Sequence, residues 1–499
     1  MTSDAQTVPL RAALYTAEQA RRIDRAASER LGIAGSELMQ RAAAAAFAAL
    51  RRRWPEARRI GLVAGSGNNG GDAFLLGALA LGAGCTVEAV ALSDASSGDA
   101  AAARAAFVAA GGRIAVGAPT RELASVDVCV DGLFGTGLAR PPAGAAAALI
   151  EAIDAAQRPV LALDVPSGLD ADTGARLRHA VHATATVSFI AWKRGLFTAD
   201  AADCCGALEL APLDVPAAAF DGITADAELV DASIAARLAP RRRNVNKGTF
   251  GHVLALGGDH GMGGAIRLGA EAALRAGAGL VSVATREANV TALNTARPEL
   301  MARGVDDAAA LAPLVARASV LAIGPGLGQE TWGRSLFEAA LAAGRPLVVD
   351  ADALNLLAHA PRALPAEAIM TPHPGEAARL LGCDTAAVQR DRFAAARALA
   401  ARYAAVVVLK GAGSLIARPD GRVAVCRWGN PGMASGGMGD LLTGVVAAML
   451  AQGLPAWDAA RLGVAVHALA GDRAAGVEPR GLVASDLLAP LRALVNPPW

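Results

Sequence analysis

The chain alternates short apolar runs with helical stretches, and this alternation constrains its fold more than any other feature. In the first half, strand-like runs cover residues 60–64, 87–92, 126–130, 160–163 and 186–190, with predicted helices from Asp72, near 99–110 and near 143–156. Continuous apolar strands that are bounded by glycine and separated by helices are typical of a parallel sheet covered on both faces. We therefore predict a Rossmann-like, doubly wound α/β sheet that binds ligands at the carboxyl ends of its strands. Two amphipathic helices, at residues 16–31 and 36–53, precede this sheet.

A second alternation follows a break in the pattern. Prolines punctuate residues 212–243, where the periodicity weakens. Strand-like runs then cover residues 252–256, 280–284, 320–323, 347–350 and 406–409, with helices near 264–276 and 332–343 and from Asp440 and Trp457. A length of 499 residues also fits more than one domain. We predict two α/β domains, residues 1–224 and 225–499.

Composition excludes several classes of function. Hydrophobic residues make up 54% of the chain and aromatic residues 4%, which favours closely packed α/β layers of small side chains. The formal net charge of +1 indicates no bulk attraction to nucleic acid or to an anionic membrane. No signal pattern opens the chain, and no apolar run reaches the ~18–20 residues that span a bilayer. The six cysteines form no CxxC pair. We expect a cytoplasmic protein with small-molecule substrates, no nucleic-acid or membrane partner, and a homo-oligomer formed through its alanine-rich N-terminal helices.

Two glycine-rich segments, residues 65–72 and 434–440, have the composition of phosphate-binding helix starts. Free backbone N–H groups and the helix dipole bind anions at such positions. Each segment ends in an aspartate, Asp72 or Asp440, which we place at the start of a helix. The first segment alone is equally consistent with a strand-to-helix turn in which Asp72 is a cap.

Polar residues at neighbouring strand ends favour a site in the first half. Asp131 precedes a glycine-rich loop, and Asp164 and Ser167 follow the next strand. Asn69, Asp131 and Ser167 are oxygen donors suited to a hard monovalent cation, and Asp164 lies where a general acid or base would meet a ligand. The alternative is that these acids only cap loops.

Three segments in the second half carry a similar pattern. His373 lies in a loop between two prolines, with Glu376 close behind it. Lys410 ends a buried strand and opens a glycine turn, which suits a clamp on nucleotide phosphate. Asp440 follows Ser-Gly-Gly-Met-Gly and looks like the catalytic base of ribokinase-like phosphotransferases. A structural role, as a helix cap or an ordinary loop histidine, is the competing interpretation.

On these motifs the chain resembles, over nearly its whole length, the bifunctional NAD(P)H-hydrate repair enzymes, in which an epimerase domain is fused to an ADP-dependent dehydratase domain. The second half then has a ribokinase-like α/β fold. The resemblance implies these epimerase contacts to the hydrated dinucleotide: Asn68, Asn69, Gly70, Gly71, Asp72, Gly135, Thr136, Gly137, Leu138, Ala139, Arg140, Pro141 and Asp164. It implies potassium binding by Asn69, Asp131 and Ser167, and it aligns Lys193 with a family lysine that we take as catalytic together with Asp164 and Asp440.

In the dehydratase half, the resemblance implies substrate contacts from Ala265, Gly326, His373 and Asp440. It implies contacts to the adenine nucleotide from Lys410, Gly411, Ala412, Gly413, Ser414 and Gly439. The expected cofactors are K⁺ in the first domain and Mg²⁺ with ADP as co-substrate in the second, and the expected substrates are NADHX and NADPHX. The chain departs from the family pattern at Ala73, where glycine is usual, and at Asn246, where histidine is frequent.

Two rival interpretations remain at this point. The second half could be a small-molecule kinase that accumulates a phosphorylated product. The first half could be a binding module without catalysis, although a scaffold has no need for Asn69, Asp131 and Ser167 as a cation site.

Overall fold

The computed structural model describes residues 11–117, 121–138 and 140–496. The chain divides into two compact units, Met1–Glu228 and Leu229–Trp499. Among the described residues, no helix is long and apolar enough to cross a membrane.

The first unit is built from the following elements. Its strands are β1 (Ala13–Tyr15), β2 (Arg59–Ala64), β3 (Thr86–Ala91), β4 (Arg113–Val116), β5 (Val128–Gly132), β6 (Val160–Leu163), β7 (Ala185–Phe189), β8 (Trp192–Lys193) and β9 (Ala207–Ala211), with β10 (Ala227–Leu229) at the boundary. Its helices are α1 (Ala17–Arg25), α2 (Gly35–Arg53), α3 (Asn68–Gly82), α4 (Gly98–Ala109), α5 (Ala145–Ala155) and α6 (Ala201–Cys204).

Seven strands form a parallel sheet in the order β4-β3-β2-β5-β6-β7-β9. The strand order reverses between β2 and β5, where Ala64 pairs with Gly132. In open α/β sheets this switch point is where ligands bind, outside the carboxyl ends of the strands. The predicted Rossmann-like sheet is therefore confirmed.

Alternate residues of β2 enter cores on opposite faces of this sheet. Ile60 and Leu62 pack in the core that contains Phe74 of α3 and Leu50 of α2. Val63 packs in the other core, with residues of α5. Burial of one such side chain contributes roughly 1.5–3 kcal/mol, so both faces of the sheet are fixed by apolar packing.

Helix α3 begins at Asn68, so the prediction that it begins at Asp72 is wrong. Asp72 is buried in the second turn and is not the cap. The early start depends on glycine, because a Cβ at Gly70 would lie 2.0 Å from the carbonyl oxygen of Gly65. The helix therefore starts close against the end of β2, with Asn68 and Asn69 in its first turn.

Helix α1 is shorter than predicted. Thr16 and Gln19 form a capping box at its start, and a π-helical turn, Ala26–Arg30, follows its last residue. The strand β1 that leads into α1 pairs in parallel with β8, so that Tyr15 lies opposite Lys193. This pairing brings α1 to the strand that carries Lys193.

The second unit contains a further set of elements. Its strands are β11 (His252–Leu256), β12 (Leu280–Thr285), β13 (Met301–Gly304), β14 (Val320–Ile323), β15 (Leu347–Val349), β16 (Ala368–Met370), β17 (Val406–Leu409), β18 (Ser414–Ala417) and β19 (Val423–Cys426). Its helices are α7 (Gly263–Arg275), α8 (Glu287–Ala296), α9 (Ala308–Arg317), α10 (Thr331–Ala342), α11 (Ala351–His359), α12 (Pro374–Leu381), α13 (Thr385–Arg390), α14 (Arg392–Tyr403), α15 (Met438–Ala451), α16 (Ala456–Ala475) and α17 (Leu488–Leu494).

The sheet of the second unit runs in the order β13-β12-β11-β14-β15-β16-β17-β18-β19. Neighbouring strands from β13 to β17 are parallel, whereas β18 and β19 are antiparallel additions. Its main core contains α7, α15 and α16. Helices α7 and α15 approach so closely that a Cβ at Gly444 would lie 1.8 Å from the carbonyl oxygen of Gly269.

Candidate active sites

The first candidate site is a cleft of about 630 Å³ at the carboxyl edge of the sheet in the first unit. Helix α1, the start of α3, the loop after β5 and the residues after β6 and β7 all contribute to its walls. Of the predicted residues, it brings together Asn68, Asn69, Asp72, Gly135, Thr136, Gly137, Leu138, Asp164 and Lys193.

Asp164 and Lys193 form an ion pair within this cleft. Lys193 Nζ donates to Asp164 Oδ1, and also to the carbonyl oxygen of Phe189 at 2.8 Å and to Ser188 Oγ at 3.3 Å. Lys193 is only 3% exposed, so it is not a surface lysine with a solvated head. Asp164 has a φ of +63°, a conformation that is uncommon outside glycine and is found at functional sites.

The side chain of Asn69 is the least satisfied polar group of the cleft. Its Oδ1 and Nδ2 atoms are both buried without a hydrogen-bond partner among the described residues. A Cβ placed on Gly135 would lie 3.5 Å from Asn69 Cγ and 3.2 Å from Asp164 Oδ2. Buried polar groups are almost always bonded, so an amide left open here is consistent with a ligand at this point.

Asp131 and Ser167 are bonded to each other. Ser167 donates to Asp131 through Oγ at 2.6 Å and through its backbone N–H at 2.8 Å. Phe134 N–H donates to Ser167 Oγ at 2.9 Å, which ties the loop after β5 to the pair. Burial raises the pKa of Asp131 to about 6, although the hydrogen bonds from Ser167 oppose that rise.

The remaining predicted residues of the first unit lie elsewhere. Gly70 and Gly71 are buried in α3 and shape its approach to β2 and α2 without lining the cleft. Arg140 and Pro141 follow the loop and do not line the cleft, and Ala139 lies outside the described residues.

Ala73, the first departure from the family pattern, faces the sheet. Its Cβ is 2.5 Å from the position that a Cβ on Gly132 would take, and the residue is fully buried. The extra methyl therefore packs against the end of β5 and does not line the cleft. Nothing in the structure explains Asn246, which is exposed.

Two further carboxyls of the cleft have shifted acidities. Asp24, on α1, is exposed in the cleft, but desolvation by the surrounding protein and then the charge of Asp164 raise its pKa to about 6, with Lys193 opposing. Burial, and then the charges of Asp164 and Asp24, raise the pKa of Asp72 well above its ordinary value. A carboxyl group in a cleft whose pKa is shifted in this way indicates a functional site.

The second candidate site lies at the carboxyl edge of the other sheet. Lys410 Nζ donates to Asp350 Oδ1 at 2.7 Å and lies 3.8 Å from Glu376 Oε2. Thr443 Oγ1 donates to the other Asp350 oxygen at 2.8 Å. A Cβ on Gly439 would lie 3.2 Å from Lys410 Nζ, so this cation adjoins the glycine-rich start of α15. Burial opposes the charge of Lys410, but Asp350, Glu376 and Asp440 together raise its pKa.

Asp440 lies in the first turn of α15, as predicted. Its backbone carbonyl oxygen is 3.0 Å from the position of a Cβ on Gly269, so α7 packs directly against it. Burial and then the charge of Asp350 raise the pKa of Asp440 to about 6, with Lys410 opposing. This carboxyl can therefore exchange a proton near neutral pH.

His373 caps helix α12. Its Nδ1 accepts from the N–H groups of Gly375 at 3.0 Å and Glu376 at 3.4 Å, while Glu376 Oε2 accepts from the His373 N–H at 2.7 Å. Burial, and then the charges of Lys410 and Arg379, lower the pKa of His373, so the ring stays neutral as the cap requires. About half of the His373 side chain is exposed, and its Nε2 lies 3.5 Å from Glu376 Oε1.

Ala265 follows β11 and Gly326 follows β14, so the two residues lie at the point where the strand order of this sheet reverses. The Ala265 Cβ is 3.4 Å from the position of a Cβ on Gly326. Asp352 Oδ2 accepts a hydrogen bond from the Gly328 N–H at 2.9 Å, and the charge of Asp352 contributes to the raised pKa of Asp440. The loop after β14 therefore lies in the same candidate site as Asp440.

The turn between β17 and β18 carries the residues predicted to bind nucleotide. Gly411 and Ala412 are exposed, and Ser414 Oγ donates to the carbonyl oxygen of Gly411 at 2.9 Å. Arg392, which is 1% exposed, donates to the carbonyl oxygens of Leu409 and Lys410 from beneath this turn.

Sequence reasoning missed Asp24, Asp350, Thr443 and Arg392. Asp350 closes a predicted strand, as Asp131 does, and the same signal would have found it. The other three lie inside helices, where nothing in the local sequence marks them.

Two α/β units, each with a carboxyl beside a glycine-rich helix start, define an enzyme with two sites for phosphate-bearing ligands. Residues 35–195 match the family of YjeF-related protein N-termini, and residues 253–491 match the NAD(P)H-hydrate dehydratase family. The chain is 46% identical to a bifunctional NAD(P)H-hydrate repair enzyme from Coxiella burnetii, covering 97% of this chain and 99% of the relative. It is 42% identical to the enzyme of that name from Escherichia coli, covering 97% and 94%.

A solved ribokinase-like superfamily protein from Enterococcus faecalis is similar to the second half. It is 30% identical with a TM-score of 0.50, covering 53% of this chain and 94% of the other. The chain belongs to the family of bifunctional NAD(P)H-hydrate repair enzymes, and the resemblance drawn from its motifs is confirmed.

Proposed function

We propose that the first unit interconverts the R and S forms of NADHX and NADPHX, and that the second unit dehydrates the S form to NADH or NADPH. The observation that carries this proposal is that each unit has its own carboxyl, Asp164 or Asp440, at the carboxyl edge of its own sheet. In the hydrates, water has added across the 5,6 double bond of the nicotinamide ring. The dehydratase accepts one epimer, so the epimerase lets the whole pool be repaired.

In the second unit, Asp440 takes the proton of the ring hydroxyl, whose oxygen attacks the terminal phosphoryl group of ADP. The bond to AMP breaks, and the ring oxygen now carries a good leaving group. The ring nitrogen supplies its electron pair, phosphate leaves, and water takes a proton from C5, which restores the 5,6 double bond. Lys410 and the amides at Gly436, Gly437 and Gly439 offer positive charge to the transferred group.

The groups around Lys410 also suit Mg²⁺. Magnesium binds proteins through one or two carboxylates together with substrate phosphate, and Asp350 and Glu376 both adjoin Lys410. When bound, the ion neutralises charge on the phosphates. No group of three or more His, Cys, Asp or Glu side chains among the described residues could hold a metal without the nucleotide.

In the first unit, we assign the hydrated ring to the space beside Gly135, Asn69 and Asp164. Asn69, Asp131 and Ser167 would hold K⁺, because they supply neutral and anionic oxygens and the Asn69 amide is unsatisfied. When bound, the ion supplies positive charge beside the pyrophosphate. Lys193 orients Asp164 through its hydrogen bond to Oδ1, and the amides of Asn68 and Asn69, at the start of α3, would bind the phosphate.

We further propose that the protein acts in the cytoplasm as a homo-oligomer and that it binds small molecules and no nucleic acid. Size-exclusion chromatography with light scattering measures the last point.

The proposal is tested with purified protein, a mixture of R and S NADHX, Mg²⁺, K⁺ and ADP, followed at the absorbance of reduced nicotinamide. We expect recovery of the whole mixture and release of AMP and inorganic phosphate. Recovery that stops at the S fraction would remove the epimerase assignment. A phosphorylated product that accumulates would instead favour a small-molecule kinase.

A further inference from the structure

The cleft of the first unit contains a carboxyl that the proposed reaction has not yet used. Asp24 lies on α1, and its side chain is accessible from the cleft. Among the described residues its carboxylate makes no hydrogen bond or ion pair, although Arg21 and Arg25 lie on the same helix and line the same cleft. Asp24 is exposed, so its unbonded carboxyl is open to a ligand in the cleft.

Asp24 and Asp164 enter the cleft from different walls. Asp24 comes from helix α1, whereas Asp164 follows β6 at the edge of the sheet. Their charges interact across the cleft, with Lys193 and Arg21 as the cations that reach Asp24 and with Asp72 as a further acid nearby. The exposed Glu29 also lines the cleft.

The two carboxyls also differ in their hydrogen bonds. Lys193 and the Phe189 N–H both donate to Asp164 Oδ1. Asp24 has no such donor, and its pKa is raised to about 6, so it carries a proton at higher pH than an ordinary aspartate. A hydrogen-bonded carboxyl and an unbonded one in the same cleft are candidates for a pair of acid–base groups.

We infer that Asp24 is the second acid–base group of the epimerase and acts opposite Asp164 on the hydrated nicotinamide ring. This inference rests on the proposed function. One carboxyl protonates the ring hydroxyl, and the C6–O bond breaks with its electron pair leaving on water. The ring nitrogen supplies its lone pair to form the C=N⁺ bond.

Water then adds to the opposite face of C6. The new C–O bond forms, the nitrogen regains its pair, and the second carboxylate accepts the proton from the added water. One proton has moved from the first acid to the second, and nothing has been oxidised or reduced. The reverse direction uses the same two groups with their roles exchanged, so both directions depend on Asp24.

The test compares the full chain with Asp24→Asn, Asp24→Glu and the matched control Asp203→Asn, an exposed aspartate on α6 that does not line the cleft. Conversion of R-NADHX to the S form, without ADP, is followed by chromatography as a function of pH. We expect Asp24→Asn to lower kcat at least ~100-fold, the usual range of general acid–base catalysis, with KM within about threefold. The limb of the wild-type pH profile near pH 6 should disappear. Asp24→Glu should restore part of kcat, and Asp203→Asn should behave as wild type.

Oxygen exchange provides a second readout. Epimerisation in ¹⁸O-labelled water should place label on C6 at each turnover, measured against an enzyme-free control. Asp24→Asn with kcat within about threefold of wild type and the same pH profile would overturn the inference, and so would unlabelled product. A wild-type chain that does not epimerise would instead refute the proposed function itself.

Discussion

At the scale of single residues, both sites depend on carboxyls that their neighbours position or perturb. Lys193 holds Asp164 in an ion pair, whereas burial and then the charge of Asp350 raise the pKa of Asp440. We therefore expect small changes of the space around either carboxyl, and for Asp440 a change of pH, to alter the proposed functions.

Dehydration of the S form should depend on the ionisation of Asp440. Because burial raises its pKa to about 6, the carboxyl is protonated and unable to act as a base below that pH. We expect kcat to fall as pH drops through about 6 and to level off above it. The measurement is kcat for S-NADHX with saturating ADP from about pH 5 to about pH 8. A rate that is flat across this range would rule out Asp440 as the base.

Replacement of Gly135 by alanine should impair the epimerase selectively. The new Cβ would lie 3.2 Å from Asp164 Oδ2 and 3.5 Å from Asn69 Cγ, in the space assigned to the ring. We expect kcat/KM for R-NADHX to fall about 10- to 100-fold, which corresponds to roughly 1.4–2.7 kcal/mol of transition-state binding. Gly82→Ala is the control, because a Cβ there meets nothing within 4 Å at the far end of α3. Equal effects of the two changes would contradict this placement of the ring.

At the scale of elements, the sequence predicts strands and their ends better than helix starts. Runs such as 252–256 and 160–163 coincide with β11 and β6, because a buried parallel strand is apolar along its whole length. The start of helix α3 was predicted too late because the close approach of Gly70 to the Gly65 carbonyl depends on the tertiary structure and is not visible in the local sequence. Strands β18 and β19 were not predicted, since four apolar residues beside a glycine turn do not distinguish a strand from a loop.

The same limit applies to the sites. Asp131, Asp164 and Lys410 lie at or near strand ends and could be found along the chain. Asp24 could not, because α1 is placed at the cleft by contacts with distant segments, among them the pairing of β1 with β8. A contact set by strand pairing between distant segments leaves no trace in local periodicity.

Helix α12 offers a way to separate structure from binding at His373. Asparagine is a good helix cap and alanine is not, so His373→Ala should destabilise the second unit by about 1 kcal/mol while His373→Asn costs less. Both should raise KM for S-NADHX if Nε2 contacts the substrate. Thermal unfolding and initial rates measure the two effects. If the His373→Asn enzyme keeps the wild-type KM for S-NADHX, His373 acts only as the cap of α12.

At the scale of the whole molecule, we expect the chain to carry two independent sites. Each unit has its own set of parallel strands, its own glycine-rich helix start and its own candidate carboxyl. Fusion of the steps is chemically useful because the epimerase supplies the only form that the dehydratase consumes. Independence of the sites is the claim on which the residue assignments depend.

The most direct test assays both reactions in Asp440→Ala and Asp164→Ala. The first variant should lose ADP-dependent dehydration and keep conversion of R-NADHX to the S form, whereas the second should lose that conversion and keep dehydration of S-NADHX. Loss of both reactions in either folded variant, or R-to-S conversion that persists in Asp164→Ala, would contradict two sites with these two carboxyls.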